Sequence, residues 1–323
     1  MLRQTDGRCF RPLHRTQSVN EMNMNLRKTG AVLCLLLHTW SVLSAQDQDL
    51  LSLLGEDPNP TQYATAAFKT NRIINLHSIE HTAPGVLDFK ILHRFGFING
   101  GAYEFFGLDQ ATMRLGFDYG LTSNLQIGLG RSNFEKTYDF YAKYRFLRQS
   151  KGKRNIPLSM SLVAGSAIKT NRWPDPDRDN LFSSRLYYHF QLLLARKFSE
   201  GFTLQLSPTL VHRNLVATRA EKNDVFALGA GIRQKISKRI AVNAEYIYVL
   251  PNQLAEGFQN SLSIGLDIET GGHVFQLHFT NSTSMIEKGF VAETSGRWEK
   301  GDIRFGFNIS RVFTLRAPRV SGE

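Results

Sequence analysis

The residues whose spacing comes nearest to a reaction centre are His77-Ser78-Ile79-Glu80-His81. They fit H-x-x-E-H, the inverted form of a zinc-protease motif. That motif needs a helix, so that histidines four residues apart turn towards one metal ion. Here it lies in IINLHSIEHTAPG, a β-branched stretch closed by Pro84-Gly85. The match is read as coincidence, and neither a metal nor any other cofactor is expected. Nucleophilic chemistry has no better footing, because G-x-S-x-G does not occur in the chain. Gly128-x-Gly130 and Gly229-x-Gly231 are not phosphate loops. They fall inside alternating stretches, where glycine marks a kink or close packing. No catalytic residue is expected.

The remaining chemistry is charge placed at every second position of apolar stretches. Lys90, Arg94, Arg114, Lys143, Arg145, Arg185, Arg213, Arg233 and Arg304 occupy such positions, with His189 among them. So do Asp88, Asp118, Asp139, Glu245 and Asp267. Bases outnumber acids, which would suit binding or passage of a small anionic solute if these side chains share one interior. A closed network of ion pairs that fills the same interior is the competing reading.

What positions them is strand alternation. In ATMRLGFDYG, residues 111–120, Ala111, Met113, Leu115, Phe117 and Tyr119 are apolar, while Thr112, Arg114, Gly116, Asp118 and Gly120 are polar or small. After the turn Leu121-Thr122-Ser123-Asn124 the alternation resumes with Leu125, Ile127 and Leu129. Period two on both sides of a short polar turn means an antiparallel hairpin with one apolar face. Arg114 and Asp118 share the other face and are expected to pair. The pattern recurs to Phe313, giving about twelve strands from residue 86 to residue 313. Short turns are expected after strands two, six, eight and ten, and longer loops after one, five, seven, nine and eleven. The short loop after strand three and the longer turn after strand four break that rhythm.

The outward faces carry almost no charge, and Tyr119, Tyr138, Tyr144, Tyr188, Tyr246 and Tyr248 lie on them. Strands with lipid on one face must satisfy every backbone group, and only a closed barrel does so. Interfacial tyrosines complete that picture. The expected fold is therefore all-β, a transmembrane antiparallel up-and-down β-barrel. Mean hydropathy of −0.25 does not oppose it, because a barrel shows lipid only alternate residues.

Residues 1–45 read as leader and signal peptide, with Arg27 and Lys28 before an apolar core and cleavage expected after Ala45. Met24 is an alternative start. Both cysteines, Cys9 and Cys34, fall in this part, so no disulfide is expected in the mature chain. Residues 46–85 form a separate N-terminal segment, either a periplasmic tail or a plug in the lumen. Residues 314–323 are a C-terminal tail. The net charge of +11 is spread along the strands, so nucleic acid is not an expected partner.

Residues 260–281, NSLSIGLDIETGGHVFQLHFTN, and 301–313, GDIRFGFNISRVF, resemble an uncharacterised family of outer-membrane β-barrel proteins of Gram-negative bacteria. Its most specific parts are Gly271-Gly272-His273-Val274-Phe275-Gln276-Leu277 and the run from Gly306 to Arg311. The resemblance implies the outer membrane as location and a barrel as fold, and it brings no activity. A last strand ending in Phe313 is also similar to the signal that barrels show to their insertion machinery, although ten residues follow it here. The expected partners are thus outer-membrane lipid and that machinery.

The expectation is a narrow pore or a binding barrel for a small solute. A structural barrel with no open channel is the alternative, and a barrel enzyme of the phospholipase type is a third. The enzyme would need a serine–histidine pair on the outer face. His273, at a turn, is the one histidine expected there.

Overall fold

The computed structural model describes residues 59–219 and 221–316. The leader and signal, residues 46–58 and the end of the C-terminal tail lie outside the described residues. The strands are β1 (Gln62–Tyr63), β2 (Val86–Phe97), β3 (Ala111–Gly120), β4 (Leu125–Ser132), β5 (Thr137–Leu147), β6 (Ser150–Lys151), β7 (Ser159–Lys169), β8 (Leu186–Lys197), β9 (Phe202–Arg213), β10 (Asp224–Lys235), β11 (Ile240–Val249), β12 (Ser261–Thr270), β13 (His273–Thr280) and β14 (Arg304–Thr314). All but β1 and β6 join one closed barrel of twelve antiparallel strands. Each barrel strand pairs with the next, and β14 returns to β2 with Ile309 opposite Ile91 and Thr314 opposite Val86. Closure leaves no barrel edge whose amides would face lipid.

The alternation read from the sequence fixes which face of the wall each side chain takes. In the β3–β4 hairpin, Phe117 lies opposite Leu129 and Tyr119 opposite Ile127 on the outside. Gly116 and Gly130, and Asp118 and Gly128, face each other on the inside. The outer face exposes Phe140, Phe190, Phe226, Ile264 and Phe279 among many others. A contiguous apolar belt of this kind is untenable in water and ordinary in lipid. Outward charges sit near strand ends on aromatic rings: Arg131 on Tyr138 at 4.8 Å, Arg196 on Phe198 at 5.0 Å, and Arg311 on Phe313 at 5.1 Å. There the guanidinium reaches water while the ring stays at the lipid boundary.

Two further histidines face outward, contrary to the expectation of His273 alone. His93 stacks on Phe307, and His212 contacts Asp224 at 2.7 Å. Neither hydrogen-bonds a serine among the described residues.

One end of the barrel carries the short turns and the other the long loops. The longer turn after β5 has a cause that the sequence did not reveal. Its β6 pairs with β1, with Gln62 opposite Lys151. The N-terminal segment is thus stitched to that turn before it enters the barrel. The short connection after β4 is a single 3-10 turn, Phe134–Lys136. The long loop between β13 and β14 contains a short helix, α1 (Glu287–Ala292), all of whose residues are buried.

Candidate functional site: a lumen closed from both ends

The described part of the N-terminal segment runs into the lumen. Asn71 to Ser78 form a tight hairpin inside the barrel, closed by Ile73 N–H to the Leu76 carbonyl (2.8 Å) and Ser78 N–H to the Asn71 carbonyl (3.0 Å). Buried backbone must find partners, and here the barrel wall provides them. The Glu245 carboxylate accepts from three successive N–H groups, those of Ile74 (3.2 Å), Asn75 (2.9 Å) and Leu76 (3.0 Å). Gln276 donates to the Ile73 carbonyl (2.5 Å), Asn308 to that of Ile74 (3.2 Å) and Gln205 to that of His77 (2.6 Å). Lys143 donates to the Ser78 and Glu80 carbonyls at 3.2 and 2.5 Å. Further along, Gln126 accepts from Thr82 N–H at 2.8 Å.

The wall is also shaped for the hairpin. A Cβ on Gly231 would come 2.3 Å from Ile73, and one on Gly229 would come 2.8 Å from Leu76. This is the close packing that the Gly229-x-Gly231 spacing indicated. Gly128 and Gly130 make room instead for Tyr141 and Arg114. Below the hairpin an open vestibule of about 980 Å³ faces the short-turn end, lined in part by Phe68, Lys69, His81, Asp88, Lys238 and Glu269.

α1 closes the other end. Phe290 and Val291 are fully buried and pack in one cluster with Phe68, Leu76 and Ile79 of the N-terminal segment and with Val163, Leu193, Val211 and Ile247 of the wall. Lys288 bridges Glu135 (2.7 Å) and Glu293 (3.0 Å) and lies 4.4 Å from the centre of the Tyr187 ring. The two stoppers meet at one ion pair, Arg72 Nη1 to Glu287 Oε1 at 3.0 Å. His77 Nε2 stands 3.2 Å from the same oxygen, and His189 Nε2 lies 3.8 Å from Glu287 Oε2. Burial alone would raise the Glu287 carboxyl, but Arg72 and the two imidazoles hold it well below the usual carboxylate range. Burial, reinforced by Arg72, keeps His77 neutral well below its ordinary range. Burial also takes His81 down to about 2, aided by Lys143 and Arg145.

Most of the interior candidates are brought together. Lys90 pairs with Asp118 and stands 3.4 Å from Asp88. Arg94 donates to the Asn75 side chain at 2.9 Å, and Asp267 accepts from Gln276 at 2.7 Å. Arg213 binds Glu221 at 2.9 Å and Glu293 at 3.2 Å. Arg233 is buried on the same face, and Arg145 donates to the Ser123 carbonyl at the short-turn end.

Three expectations change. Arg114 pairs with Asp139 through both Nε and Nη2, not with Asp118. Four residues along a strand are about 13 Å, whereas β5 stands only two strands over, about 10 Å, and Gly130 of the intervening β4 leaves room for the guanidinium to reach it. Arg185 precedes β8 and clasps the loop, donating to the Lys169 (2.8 Å) and Asn171 (2.6 Å) carbonyls while covering Trp173. Arg304 lies at a bulge on the rim, 3.7 Å from the centre of the Phe97 ring and donating to the Phe95 carbonyl.

The basic excess of the wall is also offset in this state by Glu287 and Glu293 from the loop around α1 and by Glu221 from the loop after β9. The H-x-x-E-H residues do not converge, since His81 contacts Ser161 (3.1 Å) while His77 turns to Glu287. The hairpin tip, Glu287 and Phe290 escaped sequence reasoning. Their signal was apolar runs, Ile73-Ile74 in the segment read as tail or plug and Phe290-Val291-Ala292 in a segment read as loop.

These features define an integral membrane β-barrel whose lumen is filled from both ends. Residues 68–313 match the family described as "Membrane bound beta barrel domain (DUF5777)", and the chain belongs to it. No curated protein matches the sequence. Among solved structures, the chain is similar to the NanC porin at 9% identity and a TM-score of 0.43, over 70% of this chain and 98% of that one. It is also similar to the KdgM porin (11%, TM-score 0.41, covering 71% and 99%). The Acinetobacter baumannii outer membrane protein Omp33 is a third (7%, TM-score 0.40, covering 70% and 97%).

Proposed function

We propose that the protein is an outer-membrane conduit for small solutes, drawn here in its closed state, with the Asn71–Ser78 hairpin and α1 as its two stoppers. The signal peptide expected over residues 1–45, the lipid-facing belt and the family support that location. The wall carries the reading. Where hairpin and loop withdraw, they uncover Ser161, Gln191, Gln205, Ser207 and Ser263 together with the charged rows. Gln191 has both amide atoms buried without a hydrogen-bond partner among the described residues even in the closed state. Leaving such atoms unpaired costs about 1–3 kcal/mol each, so the surface is one suited to water. Without Glu287, Glu293 and Glu221 beside them, Lys90, Arg94, Arg114, Lys143, Arg213 and Arg233 outnumber Asp88, Asp118, Asp139, Glu245 and Asp267 by one, and small anions are the solutes this slight basic excess favours. The reading assigns no chemical step to the barrel.

The apolar cluster inside the lumen favours a second reading, a structural barrel that never opens. Conductance in planar bilayers separates the two. The mature chain is expected to be silent or to open rarely, and a chain lacking residues 59–83 is expected to conduct in steps with anion preference. No steps from the truncated chain, with its heat-shifted gel mobility retained, would overturn the conduit and leave the structural barrel.

A further inference from the structure

We propose that His77, His189 and Glu287 form a binding site for one divalent ion of the zinc class, which ties plug, wall and outer loop together. The three residues come from the hairpin, β8 and α1, all are buried, and their ligand atoms lie within 4.8 Å of one another. Ligands of one tetrahedral zinc ion stand about 3.3 Å apart. The 3.2 Å from His77 Nε2 to Glu287 Oε1 already fits, and the 3.8 Å from His189 Nε2 to Oε2 needs a shift of about half an ångström.

A second observation points to a ligand. His189 Nε2 is buried without a hydrogen-bond partner among the described residues, yet it stands 3.8 Å from Glu287 Oε2. The ring can lie there because Gly165 leaves room, a Cβ at that position falling 2.3 Å from Cε1. The two imidazoles are nearly parallel, at 18°, with centres 6.4 Å apart. Two imidazoles with one carboxylate suit zinc, copper, nickel or cobalt better than calcium or magnesium.

Arg72 is the competitor. Its guanidinium reaches Glu287 Oε1 at 3.0 Å and His77 Nε2 at 3.3 Å, so a cation already occupies one side of the site. An incoming ion must displace it or enter from the Oε2 and His189 side. The site is independent of whether the barrel conducts, and it is not the H-x-x-E-H pairing, because His81 lies elsewhere.

The test uses the untagged mature protein in detergent, stripped by chelator and then dialysed against zinc, with bound metal counted by elemental analysis. One zinc per barrel is expected, with a rise in the temperature of the gel-mobility shift. His189→Ala and Glu287→Gln should each weaken binding at least tenfold while the folded, heat-shifted band remains. Arg72→Ala should tighten it severalfold by removing the competing cation. No retained zinc in the unaltered protein, or equal binding in folded His189→Ala, would overturn the proposal. Retention of magnesium or calcium in place of zinc would overturn the metal class.

Discussion

The two stoppers close the same lumen by different physics. The Asn71–Ser78 hairpin is a backbone object, almost every polar group of its tip being met by a wall side chain, with Glu245 alone accepting three N–H bonds. α1 is a side-chain object, held by the burial of Phe290 and Val291 and by ion pairs at its edge. A segment too short for its own ladder can therefore be ordered if a barrel lends it partners. A loop helix of six residues, too short to be stable in water, can be ordered by apolar packing. The hairpin depends on polar positions of the wall, and the helix on how well the cluster is filled.

Glu245→Ala should produce the largest asymmetry. It orphans three buried N–H groups at about 1–3 kcal/mol each. The hairpin should become open to protease from the short-turn side while the barrel band survives. Equal protection of hairpin and barrel would contradict the role of Glu245. Phe290→Ala should cost about 3–5 kcal/mol on the other side. It should release the outer loop first, read as faster labelling of a cysteine at Ser284 than of one at Ser78. Simultaneous release would mean that the two stoppers are one unit joined through Arg72 and Glu287. Gly231→Ala, which forces a Cβ against Ile73, is an overpacking change of about 1–3 kcal/mol. It should affect the hairpin and spare α1.

Acid should act on both stoppers, and more gently. His77 and His81 are neutral in the plugged state because burial depresses them from an ordinary value of 6.5. They face Arg72, Glu287, Lys143, Arg145 and Ser161. A released plug would bind protons below about 6.5 that the seated plug does not. Seating is therefore full above that value and weakens as pH falls, by up to tenfold per pH unit for each histidine. The depressed Glu287 adds to the loss only below its ordinary value of 4.5. Conductance that rises between pH 7 and pH 5 would agree. A flat profile over that range would place both histidines outside the plug equilibrium.

How much of this was legible follows from the same contrast. The wall was readable because lipid imposes period two on every strand, so the inward rows at Lys90, Asp118, Asp139, Lys143 and Glu245 could be named from parity alone. The hairpin tip has no period. Its conformation is set by side chains such as Glu245, some 170 residues away. α1 is short, and its apolar residues look like those of any long loop until the lumen receives them. The pairing of Arg114 failed for a related reason. Parity gives the face of a side chain, but register decides which neighbour on that face it meets.

Residues 71–78 sit inside the barrel against β12. Asn75 Nδ2 donates to Ser263 Oγ at 3.0 Å. With Asn75→Cys and Ser263→Cys in an otherwise cysteine-free mature chain, a short bis-maleimide applied to intact outer membranes measures that proximity directly. Near-complete internal crosslinking of the folded barrel, lost in Glu245→Ala, is the predicted result. A folded barrel in which both cysteines are labelled singly and never joined would contradict the plug.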